Sequence, residues 1–172
     1  MSHPDLTVQP PTILGSWVLL IAQTVNSYGV DSKRLFKDAG IDLADIKTSE
    51  TRFPTSMVAN VWQHLILKTQ DPYIAIRVAQ LFKPSVYSAL GIAMAGSRNV
   101  YEAMKRCTRY SHIVSNGTIA TFEEDDHQVA IVFSSSPQFH SLTHIYGISA
   151  TLCCLLKVFR EISGDSLKVK EV

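Results

Sequence analysis

The run Asn99–Phe133, NVYEAMKRCTRYSHIVSNGTIATFEEDDHQVAIVF, changes its period half-way and thereby decides the fold class. In its first half, Val100, Ala103, Met104, Cys107, Tyr110 and Val114 recur at spacings of three and four, with Lys105, Arg106, Arg109 and His112 opposite. That pattern predicts an amphipathic helix. Asn99 and Glu102 supply an N-x-x-E capping arrangement at its start. Asn116-Gly117 stops the helix, and the period falls to two. Thr118–Glu123 and Gln128–Phe133 are β-branched and aromatic, and they flank the acidic turn Glu124-Asp125-Asp126-His127. This predicts a β-hairpin. The expected class is α+β: several helices packed around a small antiparallel sheet, with helices predominating.

Toward the N-terminus the signals are helical. Leu14, Trp17, Val18, Ile21, Val25 and Tyr28 share one face of a helix beginning at Ile13, and Gly29 suits its left-handed end. Asp31 caps a second, short helix over residues 32–39. A glycine between helical pieces invites a helix-turn-helix reading of Val30–Ile46. The second piece is too short, Asp42 and Asp45 stand where phosphates would lie, and no Arg, Gln or Asn can reach a base edge before Lys47. Arg52-Phe53-Pro54 is an extended link, with Arg52 left to pair with an acid. Thr55 caps a helix whose stripe is Met57, Val58, Val61, Trp62, Leu65 and Ile66. Asp71-Pro72 starts the next helix, with Pro72 in its first position. Ser85 caps another, Val86–Ala95, in which Gly91 is a close-packing residue.

Beyond the hairpin, Ser134-Ser135-Ser136-Pro137 reads as a loop and Phe139–Ser163 as a long helix ended by Gly164. Leu142, Ile145, Leu152, Leu156 and Phe159 follow the a and d positions of a heptad, and Ile148, Leu155, Val158 and Ile162 add a second apolar stripe. A helix so apolar needs cover on both stripes. Leu142, Ile148, Leu152, Leu155 and Phe159 are therefore candidates for a homodimer interface, with the first helix as the competing cover. Leu167–Val172 alternates like a strand.

Composition narrows the function classes. The 172 residues suit one domain, expected over residues 12–172 behind a loose arm of residues 1–11. Sixteen basic residues against fifteen acidic give a net charge of +1, which leaves no basic footprint for nucleic acid. Cys107, Cys153 and Cys154 form no C-x-x-C pair and read as buried, reduced thiols. No secretory leader is evident, and the apolar run Gly147–Leu156 is about half the roughly 20 residues a membrane span needs. A cytoplasmic protein with no membrane contact is expected.

The runs TRFPTSMVANVWQHLILKTQDPYIAIRVA (51–79) and YSALGIAMAGSRNVYEAMKRCTRYSHIVSNGTIATFEEDDHQVAIVF (87–133) together carry a family resemblance. Arg52 with Pro54, Asp71-Pro72, the Leu90-Gly91 step and the helix Asn99–His112 resemble the N-terminal, arabinose-binding-type effector domain of AraC-family transcription regulators. The branch resembled is the one that includes ornithine-utilisation and virulence regulators. The resemblance covers residues 12–172. It implies a bacterial regulator whose N-terminal domain senses a small molecule or helps dimerise, while C-terminal helix-turn-helix units bind DNA. This chain holds no such C-terminal half, so DNA contact is expected only through a domain absent from it. The alternative is a stand-alone binding protein for a hydrophobic or anionic small molecule.

Enzyme chemistry finds no foothold. His140 and His144 share a helix face, but Ser141 stands where a metalloprotease carries Glu, and no third ligand is evident. Ser134–Ser136 lacks a G-x-S-x-G elbow. His64 beside an apolar stripe could serve in principle as a haem ligand and reads as a packed or solvated histidine. No cofactor, metal or catalytic residue is assigned. Candidates for an effector pocket are Trp62, Tyr87, Met94, Met104 and Tyr110, apolar or aromatic as such pockets require. Arg106 and Arg109 are added for an anionic effector.

Overall fold

The computed structural model describes residues 10–135 and 142–170. Its elements are β1 (Thr12–Leu14), α1 (Gly15–Ser27), α2 (Ser32–Asp38), β2 (Arg52–Pro54), α3 (Thr55–Thr69), α4 (Ile74–Leu81), α5 (Ser88–Ala95), α6 (Val100–Tyr110), β3 (Thr118–Glu124), β4 (Val129–Ser135) and α7 (Leu142–Ser163). The class is helix-rich α+β, as expected. The sheet is divided, however: β1 pairs with β2 and β3 pairs with β4, both antiparallel.

α7 runs against α3, α4, α5 and α6, and the core fills the space between them and α1. Val18, Ile21 and Val25 of α1, Val61 and Leu65 of α3, Ile74 and Val78 of α4 are completely buried. Each such side chain contributes roughly 1.5–3 kcal/mol of hydrophobic stabilisation. The ammonium of Lys157 on α7 ends α4: it donates to the carbonyls of Ala79, Gln80 and Phe82 at 3.3, 3.2 and 2.8 Å. A cation there satisfies carbonyls that the helix cannot.

The second apolar stripe of α7 is covered in part from within this chain: Leu155 and Val158 are buried, Ile148 and Ile162 half-buried. Ala150, Cys154, Leu155, Val158 and Phe159 are buried, which removes Leu155 and Phe159 from any surface open to a second copy. Ile148 and Leu152 are half-buried, and the Leu142 side chain lies outside the described residues. Among the described side chains of this helix, Ile145 is the large apolar one left exposed, at 57%.

Several boundaries depart from the periodicity because tertiary hydrogen bonds override it. Ile13 and Leu14 are strand, not helix: Ile13 faces Phe53 across the β1–β2 ladder and bridges Ser115 on its other side. The Leu14 amide donates to the Val114 carbonyl at 3.0 Å. Thr55 is the first residue of α3 and caps nothing; its amide donates to the Pro11 carbonyl at 2.9 Å, so the chain is tied down by Pro11. α4 begins at Ile74 because the Asp71 carboxylate accepts from the Tyr73 amide at 2.8 Å, holding Pro72 in a turn. Pro84–Tyr87 is a 3-10 turn, and the helix restarts at Ser88 with φ 54° and ψ −141°. That conformation is uncommon for a residue with a Cβ. The Ser88 hydroxyl is held by the Glu50 carboxylate at 2.6 Å. Leu167–Lys170 forms no strand; the Lys170 ammonium reaches the Gln128 amide oxygen at 3.2 Å instead.

Other expectations hold in detail. The Asp31 carboxylate accepts from the Arg34 amide at 3.3 Å, and Asn99 Oδ1 accepts from the Glu102 amide at 2.8 Å. The hairpin closes on Asp125, whose carboxylate accepts from the amides of His127 and Gln128 at 2.8 and 2.9 Å. Between α2 and β2 lies a 3-10 turn, Leu43–Asp45.

Candidate functional site

α1, α3, α6, α7 and the segment that leads into the hairpin meet around a cavity of about 430 Å³. Pockets that hold small molecules span roughly 300–1,000 Å³. The deep end is built by Trp17, Val58, Tyr87, Leu90, Cys107 and Leu155, all buried. The mouth lies over the first turns of α3, where Ser56, Asn60 and Gln63 are exposed, and over Ser115, Gly117 and Thr118. Small residues make the room: Ala59 on α3 and Gly147 on α7 both line the wall. A Cβ added at Gly147 would stand 3.5 Å from Trp62 Nε1, in ordinary contact. Among the described residues none that lines the cavity is charged.

Tyr87 is the polar group at depth. Its ring stacks on Trp17 at 5.8 Å between centroids and tilts against Phe82 at 4.8 Å. The residue is 3% exposed, and its hydroxyl has no hydrogen-bond partner among the described residues. The Thr151 hydroxyl and Cys154 thiol lie beside it, but Thr151 spends its proton on the Gly147 carbonyl at 3.0 Å. Burial pushes the phenol well above its ordinary range, so it stays protonated and is a donor. Burial also raises the Cys107 thiol to about 12, which makes it an apolar wall and not a nucleophile. The Cys154 thiol is raised for the same first reason, and Cys153, only half-buried, is raised as well.

The effector candidates read from the sequence separate into three groups. Trp62 and Tyr87 line the cavity. Met94 and Met104 are buried in the core but do not reach the cavity. Arg106, Arg109 and Tyr110 lie on the outer face of α6, in a shallow groove with Arg98, Tyr101, Glu102 and Lys105. That face is partly neutralised. Glu102 pairs with Arg98 at 3.3 Å and with Arg106 at 2.7 Å. The Arg98 amide, then these guanidinium groups, hold its carboxyl below the usual range. Arg106 also donates to the Ala93 carbonyl, tying α5 to α6. Lys105 sits over the Tyr101 ring at 4.3 Å, and Arg109 lies 5.4 Å from the Tyr110 ring centroid. His64 hydrogen-bonds the Asn60 carbonyl of its own helix at 2.8 Å. His140 lies outside the described residues, as does the side chain of His144.

Sequence reasoning missed most of the wall. Leu155, an interface candidate in the sequence, lines the cavity and is buried, and the half-buried Ile148 lines it as well. The signal was present in the small residues Ala59, Gly117 and Gly147, which face one another only once the elements are assembled.

Arg52 shapes the mouth without lining it. Among the described residues it pairs with no acid: Nε donates to Thr12 Oγ1 at 2.7 Å, and the guanidinium reaches the carbonyls of Ile113 and Thr12 at 2.8 and 3.2 Å. It thereby clasps β1 to the turn before the hairpin. Arg52→Ala should lower stability by about 1.5–3 kcal/mol, read from the urea midpoint, since charge-assisted bonds to two segments are lost. An unchanged midpoint would mean that solvent replaces the clasp.

Residues 29–172 match the arabinose-binding domain of AraC transcription regulators, N-terminal. The chain belongs to this family. No curated protein matches the sequence. The AraC-type domain is a ligand-sensing regulatory unit, and its family is one of regulators and not of enzymes. Its function class is thus transcription regulation through effector sensing. Among the described residues no helix is long and apolar enough to cross a membrane.

Proposed function

We propose that residues 12–172 act as the effector-sensing unit of an AraC-type regulator of the ornithine-utilisation and virulence branch, with the cavity between α1, α3, α6 and α7 as the effector site. The observation that carries this is the wall itself. It draws on elements from Ile13 to Leu155, so a molecule that fills it touches five helices and the hairpin at once. Such a ligand favours one arrangement of those elements over others, which is the thermodynamic requirement for a switch. α7 contributes Gly147, Ile148, Thr151 and Leu155 to the wall. It is the last helix before the segment that would lead to a DNA-binding half, so it is the element through which occupancy is passed on.

Self-association belongs to the same proposal. It rests on the N-terminal half of α7, where Ile145 is exposed and Ile148 and Leu152 are half-buried. Sedimentation should show a dimer at high micromolar concentration, and a strict monomer would refute it.

A thermal-shift screen of amino acids, fatty acids, aromatic acids and their neutral analogues tests the effector site. A ligand at a hundred times its Kd contributes about 2.7 kcal/mol. For a domain this size that raises the melting temperature by roughly 5–10 °C. A shift that survives closure of the cavity by Ala59→Trp would place the effector elsewhere.

A further inference from the structure

One glycine of the cavity wall has no reason in the fold itself to be glycine. We infer that Gly147 keeps open the space beside the Trp62 indole N–H, that this N–H is the donor which recognises the effector, and that the effector carries a carbonyl or carboxylate oxygen on an apolar body. This rests on the cavity being the effector site.

Gly147 stands inside α7. A glycine within a helix is costly relative to alanine, because it loses more backbone freedom on folding. Two structural needs can justify that cost, a positive φ or a neighbour that must come close. Gly147 is not among the glycines with positive φ, which are Gly29, Gly40 and Gly164. Close approach explains Gly91, where a Cβ would stand 1.8 Å from the Pro84 carbonyl oxygen. It does not explain Gly147. Beyond its own stretch of helix, the point where its Cβ would stand has one described atom within 4 Å, Trp62 Nε1 at 3.5 Å. The fold would therefore accept alanine here. The space that the missing Cβ leaves belongs to the cavity, whose wall includes both Gly147 and Trp62.

The atom that borders this space is a donor. An indole N–H can only donate. Trp62 is 2% exposed, and its N–H makes no hydrogen bond with any described residue, yet it is not sealed from access as the Tyr87 hydroxyl is. A buried donor without a partner is costly, and an acceptor oxygen placed beside Gly147 removes that cost. The oxygen has to lie only a few tenths of an ångström nearer than the absent Cβ to reach the usual N–H···O distance of about 2.9–3.0 Å. Elsewhere the wall offers Trp17, Leu90 and Leu155, all buried, which suit an apolar body. A methyl group at position 147 would take the place of that oxygen.

The chain has two tryptophans, Trp17 and Trp62, and both line the cavity. Its proton–nitrogen NMR spectrum thus contains two indole signals, which Trp62→Phe assigns. The probes are acetophenone, benzoate and cumene. They share a ring and a substituent of similar shape, with a neutral acceptor, a charged acceptor and no acceptor in turn. The expected result is a saturable downfield shift of the Trp62 indole proton with acetophenone, benzoate or both, and none with cumene. The tighter of the two acceptors reports the charge that the cavity prefers. Gly147→Ala without ligand should melt about 2–4 °C above the native chain. It should bind the same probe roughly tenfold more weakly. Unchanged affinity in Gly147→Ala, or a melting temperature below the native one, would overturn the role of Gly147. A downfield shift confined to Trp17 would overturn the choice of donor. Cumene binding as tightly as the acceptors would overturn the ligand class. Each of these leaves the effector site standing. If no probe moves either indole signal, the inference and the effector site fall together.

Discussion

Gly91→Ala is expected to destabilise the domain by at least about 3 kcal/mol, although the same change in an exposed helix would be favourable by about 1 kcal/mol. The sign is set by one contact. A Cβ built at Gly91 would stand 1.8 Å from the Pro84 carbonyl oxygen, 2.7 Å from its carbon and 3.0 Å from Tyr87 Cβ. The first two are backbone atoms, so no side chain can turn aside. Either α5 or the Pro84–Tyr87 turn must move bodily. That turn carries Tyr87 and is joined to α5 through the strained Ser88. The midpoint of thermal unfolding should fall by roughly 6–12 °C, and any ligand seen through Trp17 and Trp62 should bind more weakly, because Tyr87 no longer lies flat on Trp17. A stability equal to that of the native chain would show that the turn has room to withdraw, and that the fit around Gly91 is looser than the structure has it.

Local signals carried the fold further than the site. The Asn99–Glu102 cap, the Asp31 cap, the Gly91 close approach and the hairpin around Asp125 all depend on residues near in sequence, so pattern alone located them. The failures share a cause. Ile13, Thr55 and Ser88 take their conformations from partners tens of residues away: Phe53 and Ser115, Pro11, and Glu50. No period in the sequence encodes those bonds. The cavity suffers the same way, since a void is a relation among surfaces. Trp62 and Tyr87 were found because aromatic residues near apolar stripes are good wall material. Met94 and Met104 satisfied the same criterion and proved to be ordinary core. Arg106 looks available for an anion from the pattern, but α5 brings the Ala93 carbonyl to it and Glu102 lies one turn before it on α6.

Leu155→Glu is expected to leave almost no folded protein at neutral pH. Its place in the second apolar stripe alone makes Leu155 look like an interface residue, for which a charge would simply separate two copies. In the structure it is 3% exposed and forms part of the cavity wall beside Cys107, Leu90 and Trp17. The substitution removes a packed side chain and inserts a carboxylate where none of the described wall residues bears a positive charge. Together these cost at least about 4 kcal/mol, against total stabilities of roughly 5–15 kcal/mol for a domain. The loss should depend on pH with a definite sign. The introduced carboxyl has an ordinary value of about 4.3 when unfolded, and burial raises it in the folded chain. The folded state then binds the proton more tightly. Its stability relative to the native chain is therefore best below the unfolded value and falls as pH rises through the folded one. Circular dichroism and urea unfolding at pH 4.5 and pH 8 should show the gap between variant and native chain widening toward pH 8. A variant that is folded and monomeric at both pH values would return Leu155 to the surface of α7. The wall of the cavity would then have to be drawn again without it.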